Sequence, residues 1–307
     1  MKKYLPIFAI IFAALLWSLD GFLRQELYSI SAILIVTIEH ALGAIVFLPF
    51  LIRGKKELAA MGQRAWSSIF WISVFGGLLG LFFYTKALSY INYIDLSVVV
   101  LLQKFQPLFA ISLAAVVLKE RLTKRFLILA VFALLGGYFV TFGLNPIASG
   151  DDKTLIAALL ALLAAFCWGS STVLGKSALK TLSFPVVTAL RLTVTAIIAM
   201  AVLLAIRGYS ELNIITFAQW KILLLIVFTT GSVALFIYYY GLKHVRASHA
   251  TIYELFWPLS AVAIDWIIRG RVLSPVQFAG GAVLIVSIIL LTREQKKHNG
   301  KTDKKRP

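Results

Sequence analysis

The chain has 307 residues, of which 60% are hydrophobic and 14% charged, against roughly 45–50% and about 25% for an ordinary soluble domain. With a mean hydropathy of +0.90, much of its surface has to be solvated by lipid, which excludes the soluble-enzyme, DNA-binding and disordered classes. The formal charge of +17 is therefore read as a signal of topology and of contact with anionic headgroups, not of nucleic acid.

A helix needs about 20 apolar residues to cross a hydrocarbon core of about 30 Å. Ten segments qualify: 6–23, 31–52, 66–88, 96–118, 126–142, 154–174, 184–206, 220–242, 249–268 and 275–292. The first follows Met1-Lys2-Lys3 without a small-residue cleavage site, so it reads as a membrane span and not as a secretory signal. In that span Trp17 is about 21 Å beyond Lys3, too deep for an interfacial aromatic belt. Asp20 and Arg24, four residues apart near its outer end, are expected to pair along the helix without further function.

The second span carries Glu39 and His40 about 14 Å from its start, close to the midplane. Tyr84 lies in the third span, and Gln103, Lys104 and Pro107 in the fourth. The sixth holds Trp168, as deep as Trp17, and Cys167, the single cysteine, which excludes an intrachain disulfide or a thiol metal cluster. Arg191 lies deep in the seventh. Tyr238-Tyr239-Tyr240 in the eighth sweeps about 200° of a helix, so at least one hydroxyl points inward. The ninth contains Glu254 in the stretch Tyr253-Glu254-Leu255-Phe256-Trp257, then Pro258, and nearer its outer end Asp265, expected to pair with Arg269. Trp66, Trp71 and Trp220, near span ends, are assigned to the aromatic belt.

Counting Lys and Arg in alternate loops gives 21 on the side that holds both termini and 6 on the other, with Lys86, Lys104 and Arg191 inside spans. The positive-inside rule then predicts cytoplasmic termini in a cell-membrane (inner-membrane) protein, with the Asp151-Asp152 connection outside. The two halves also match at a constant offset of 151 residues. Trp17-Ser18 aligns with Trp168-Gly169, His40 with Arg191, Pro107 with Pro258, and Leu122-Thr123 with Leu273-Ser274. Five spans per half is an odd number, so the repeat is expected to be inverted, as in carriers that open a midplane site alternately to each side. The expected fold is all-α, with one five-helix repeat in residues 1–145, a second in 146–292, and a basic tail in 293–307.

Ten spans, Trp-Ser or Trp-Gly in the first helix of each half, a Pro in the fourth, and Lys119-Glu120-Arg121-Leu122-Thr123 before the fifth resemble the drug/metabolite transporter superfamily, specifically its EamA-type members. The sequence differs from that pattern at Gly270-Arg271, opposite Lys119-Glu120, and at Glu39-His40, where relatives more often carry Arg. The resemblance implies two inverted five-helix repeats around a central cavity and secondary transport of small organic metabolites such as amino acids, amines or drugs.

Ionisable residues at the midplane are costly and usually face a cavity or a partner. Trp17, Glu39, His40, Tyr84, Gln103, Trp168, Arg191, Tyr238, Tyr239, Glu254 and Trp257 are therefore the candidate solute-binding residues, and Pro107 and Pro258 the candidate hinges. Buried ion pairs, Glu39 with Arg191 or Glu254 with Lys104, are the alternative role for the charged members. Aromatic rings and carboxylates suit a cationic or zwitterionic solute, and Arg191 suits a carboxylate. The expected function is a secondary carrier, expected to export amino-acid-like or amine metabolites, with protons as a candidate coupling ion and no cofactor. A flippase for lipid or lipid-linked headgroups is the alternative. An enzyme is not expected, because no H-E-x-x-H, G-x-S-x-G or phosphate loop occurs.

Overall fold

The computed structural model describes residues 4–88, 105–144, 152–269 and 274–303, which form helices and short connections with no strand among them. Gln103 and Lys104 lie outside these residues, as do the side chains of Asp265 and Arg269. Helices are what such apolar runs have to form, because lipid offers no partner to a backbone N–H or C=O. Among the described residues, seven stretches are long and apolar enough to cross a bilayer.

The first span is α1 (Leu5–Gln25) and the second α2 (Ala32–Arg53), followed by the short α3 (Lys55–Ala59). The third is composite: α4 (Gln63–Trp71), a π-helical stretch over Ile72–Leu79, and α5 (Gly80–Leu88). Then come α6 (Gln106–Val117), α7 (Lys124–Phe142), α8 (Asp152–Ala178) and α9 (Phe184–Ala205). The eighth span breaks at Thr229–Gly231 between α10 (Phe217–Phe228) and α11 (Ser232–His244). The ninth breaks at Glu254 and Leu255, between α12 (Ala247–Tyr253) and α13 (Phe256–Arg269), and the last helix is α14 (Pro275–Asp303).

These irregularities recur at the 151-residue offset. The π-helical stretch of the third span corresponds to residues 223–230 of the eighth, which ends in its break, and the start of α6 corresponds to the start of α13. The breaks also fix where the two prolines stand. Pro107 stands in the first turn of α6 and Pro258 is the third residue of α13, where a helix needs no backbone donor, so neither opens a gap in the middle of a helix.

Two pairs of corresponding spans pack side by side and antiparallel. α2 and α9 are tied at both ends by acids from the connections: Glu57 accepts from the backbone N–H of Ser183 at 2.6 Å, and Glu211 accepts from that of Ser31 at 2.8 Å. Ser31 and Ser183 each precede a helix with extended backbone and make no cap of their own, so a carboxylate from the other half takes that place at the positive end of the helix dipole. α7 and α14 are likewise antiparallel, joined by Thr123 to Glu294 at one end and by Gln277 to the Val140 carbonyl, 3.2 Å, at the other. Their backbones cross at Gly136 and Gly280, where a Cβ on Gly136 would lie 2.8 Å from the Gly280 carbonyl oxygen. α1 lies against α11, and α5 against α8. The buried core between the helices is largely aliphatic, with Phe126, Tyr239 and Tyr253 as its largest members.

Candidate functional site

Between the helices lies a cavity of about 210 Å³. Of the residues singled out from the sequence, Trp17, Glu39, His40, Tyr84, Trp168, Arg191, Tyr238, Glu254, Trp257, Pro107 and Pro258 all line it. The exception among the described residues is Tyr239, fully buried in the core and set behind Arg191. Tyr238 is the member of the tyrosine run that faces the cavity, while Tyr240 packs against Phe184 and His244.

Two aromatic pairs form part of the lining. Trp17 of α1 meets Tyr238 of α11 with ring centroids 5.2 Å apart, and Trp168 of α8 meets Tyr84 of α5 at 5.3 Å. Both are tilted or edge-on contacts, the preferred aromatic geometry, and they leave ring faces and edges for a guest. The two tryptophans are 151 residues apart, and each pair joins one half of the chain to the other.

The charged groups fall into two clusters. In the first, Arg24 bridges two acids, bonding Asp20 at 2.5 Å one turn back along α1 and Glu39 of α2 at 2.9 Å. Thr230, in the break of the eighth span, donates to the other Asp20 oxygen at 2.7 Å. Arg24 is 2% exposed, so this is a buried triad and not a surface pair. The expected pairing of Glu39 with Arg191 is therefore corrected: Arg24 is the nearer cation, because α1 stays helical to Gln25 and turns that side chain inward.

The second cluster surrounds Glu254. Its Oε1 accepts from the Tyr238 hydroxyl at 2.5 Å and its Oε2 from the Gln106 amide at 2.6 Å, while Thr172 lies 3.0 Å from the same tyrosine hydroxyl. The turn at Glu254 and Leu255 carries this carboxyl into the cavity instead of along a continuous helix face. No cation among the described residues pairs with Glu254. Between the clusters, His40 bonds the Val36 carbonyl through Nδ1 at 2.9 Å, and Arg191 donates to the Tyr239 hydroxyl at 2.9 Å.

Sequence reasoning missed Arg24, Asp20, Gln106, Thr172 and Thr230 as cavity residues. For Gln106 a signal existed, since it is the neighbour of Pro107. Trp71, assigned to the belt, instead stacks on Phe75 at 4.1 Å and donates to Ser170 at 2.9 Å, which anchors the third span to α8.

Comparison with known proteins agrees with this architecture. The EamA-like transporter family matches residues 4–142 and again residues 155–293, two stretches that begin and end 151 residues apart. The chain is 39% identical over 286 residues to the riboflavin transporter ImpX of Fusobacterium nucleatum, covering 92% of this chain and 95% of that protein. It is 25% identical over 295 residues to protein LicB of Haemophilus influenzae, covering 91% and 94%. A solved crystal structure, 17% identical, superposes with a TM-score of 0.73 over 96% of this chain and 98% of its own, and shares the fold. An aromatic-walled cavity among apolar helices, on a chain that matches this family twice over nearly its whole length, thus has one reading: the chain belongs to the EamA-like transporter family and is a membrane transporter, not an enzyme.

Proposed function

We propose that this transporter carries an uncharged, planar heteroaromatic solute of the flavin type, by alternating access between two inverted five-helix repeats. The observation that carries the reading is the pair of aromatic contacts, Trp17 with Tyr238 and Trp168 with Tyr84, in one cavity. Planar rings gain most from such walls, and the relative at 39% identity is named for riboflavin. The charge arrangement favours the same class over the amino acids and amines expected from the sequence. Asp20 and Glu39 already share Arg24, which offsets part of their charge before any ammonium group enters, and Glu254 already accepts from Tyr238 and Gln106.

Alternating access draws support from the antiparallel packing of α2 with α9 and of α7 with α14, equivalent spans of the two halves. On this reading the repeats are residues 1–145 and 146–292, the ten spans follow the ten apolar segments, and the tail 293–307 and both termini are cytoplasmic.

Purified protein in sealed liposomes tests the solute. Saturable riboflavin flux is expected, and it should fall at least tenfold when Trp17 and Trp168 are both changed to Ala. Flux of labelled amino acids or amines without riboflavin flux would overturn the reading. Repeating the measurement with and without an imposed pH gradient reads out the proposed coupling to protons, which a rate independent of the gradient would refute.

A further inference from the structure

Each half of the chain places one nitrogen-bearing side chain at the equivalent position of its second span, His40 in α2 and Arg191 in α9, and both line the cavity. They offer opposite hydrogen-bonding character. The Val36 carbonyl can only accept, so Nδ1 of His40 carries the hydrogen of that 2.9 Å bond, and in the neutral ring Nε2 is left as an acceptor. Among the described residues nothing donates to Nε2. Arg191 is a permanent donor. One of its terminal nitrogens bonds Tyr239, whose ring lies 5.8 Å beneath the guanidinium, and no carboxylate among the described residues pairs with it. Arg24, by contrast, is already paired with two acids, Asp20 and Glu39.

We infer that His40 and Arg191 form a subsite for the imide edge, –CO–NH–CO–, of a ring solute: His40 Nε2 accepts the ring N–H, and Arg191 donates to a carbonyl beside it. The alternation of the two groups selects this class. A solute carboxylate would satisfy Arg191 but set an acceptor against the acceptor of His40, and an ammonium group would meet His40 but face an uncompensated guanidinium. An imide satisfies both. The inference rests on the flavin-type reading above, since the flavin ring system ends in such an edge, and it adds which atoms of the ring are recognised and by which residues.

The test compares riboflavin with N3-methylriboflavin, which keeps both carbonyls and the ring but lacks the N–H. Binding to the purified, unaltered protein is followed by quenching of flavin fluorescence. Leaving a buried acceptor unpaired should weaken binding about tenfold or more. In His40→Leu the two ligands should bind equally, and in His40→Gln, whose side-chain carbonyl still accepts, the preference for riboflavin should return. Equal binding of the two flavins by unaltered protein would overturn the inference while leaving the flavin reading intact, and needs no variant to fold. The same preference persisting in His40→Leu would also overturn it. If riboflavin fails to bind while lumichrome or thymine does, the flavin reading falls and the imide subsite stands; if none of these imides binds, both fall.

Discussion

The two acid clusters of the cavity solve burial in opposite ways. Around Arg24, two carboxylates and a guanidinium cancel most of their charge within the protein, tying α1 to α2 and, through Thr230, to the break of the eighth span. Around Glu254, the partners among the described residues are neutral: Tyr238, Gln106 and Thr172. An ion-paired cluster in a low-dielectric setting resists disturbance, because separating its members exposes uncompensated charge, whereas a carboxyl held by neutral donors can exchange partners at modest cost. The first cluster is thus part of the scaffold, and the second is the one able to respond to what enters the cavity.

Several substitutions would break or sharpen this contrast. Arg24→Leu should have the largest effect, because it strands Asp20 and Glu39 together in a buried site. A loss of about 3–5 kcal/mol is expected, read as a large drop in thermal midpoint in detergent or failure to accumulate in the membrane. Stability close to that of the unaltered protein would show that the triad is not the scaffold element described. Tyr238→Phe removes one of the donors to Glu254 while keeping the ring against Trp17, so folding should survive with a loss of about 1–3 kcal/mol. A collapse as severe as that of Arg24→Leu would erase the distinction between the clusters.

Trp168→Ala leaves both clusters untouched and removes one aromatic wall. Flavin binding should weaken about tenfold or more, while Trp66→Ala, on an exposed span end, should leave it unchanged. Thr172→Val is the finest probe. It deletes one neutral partner of Tyr238 and Glu254 while Tyr238 and Gln106 still hold the carboxyl, and a change of about 1 kcal/mol or less in stability is expected.

Much of the fold was legible in the sequence because lipid imposes a simple demand: the apolar runs and their offset can be read directly, and the family matches fall at the same 151-residue spacing. The cavity was legible wherever a residue was costly at its depth, as with Trp17, Trp168, Glu39 and Glu254. Arg24 was not, because its spacing from Asp20 already accounts for it as a helical pair, and only tertiary packing brings Glu39 to its other side. Tyr239 was assigned to the cavity because a run of three tyrosines does not reveal which hydroxyl faces inward; α11 turns Tyr238 there and leaves Tyr239 to support Arg191. The prolines misled for a related reason. Hydropathy is blind to a break within an apolar stretch, so the eighth and ninth spans read as continuous and Pro258 as a kink inside a helix instead of part of its first turn.

The reciprocal carboxylates at the ends of α2 and α9 bear on how the chain matures. Glu211 reaches the amide of Ser31 across 180 residues of sequence, and Glu57 reaches that of Ser183 across 126. While the polypeptide is being synthesised, the start of α2 meets its carboxylate only after Glu211, in the second half, has been made. Each half thus supplies the carboxylate that finishes a helix start in the other, and these two helix ends are complete only when both halves are in place.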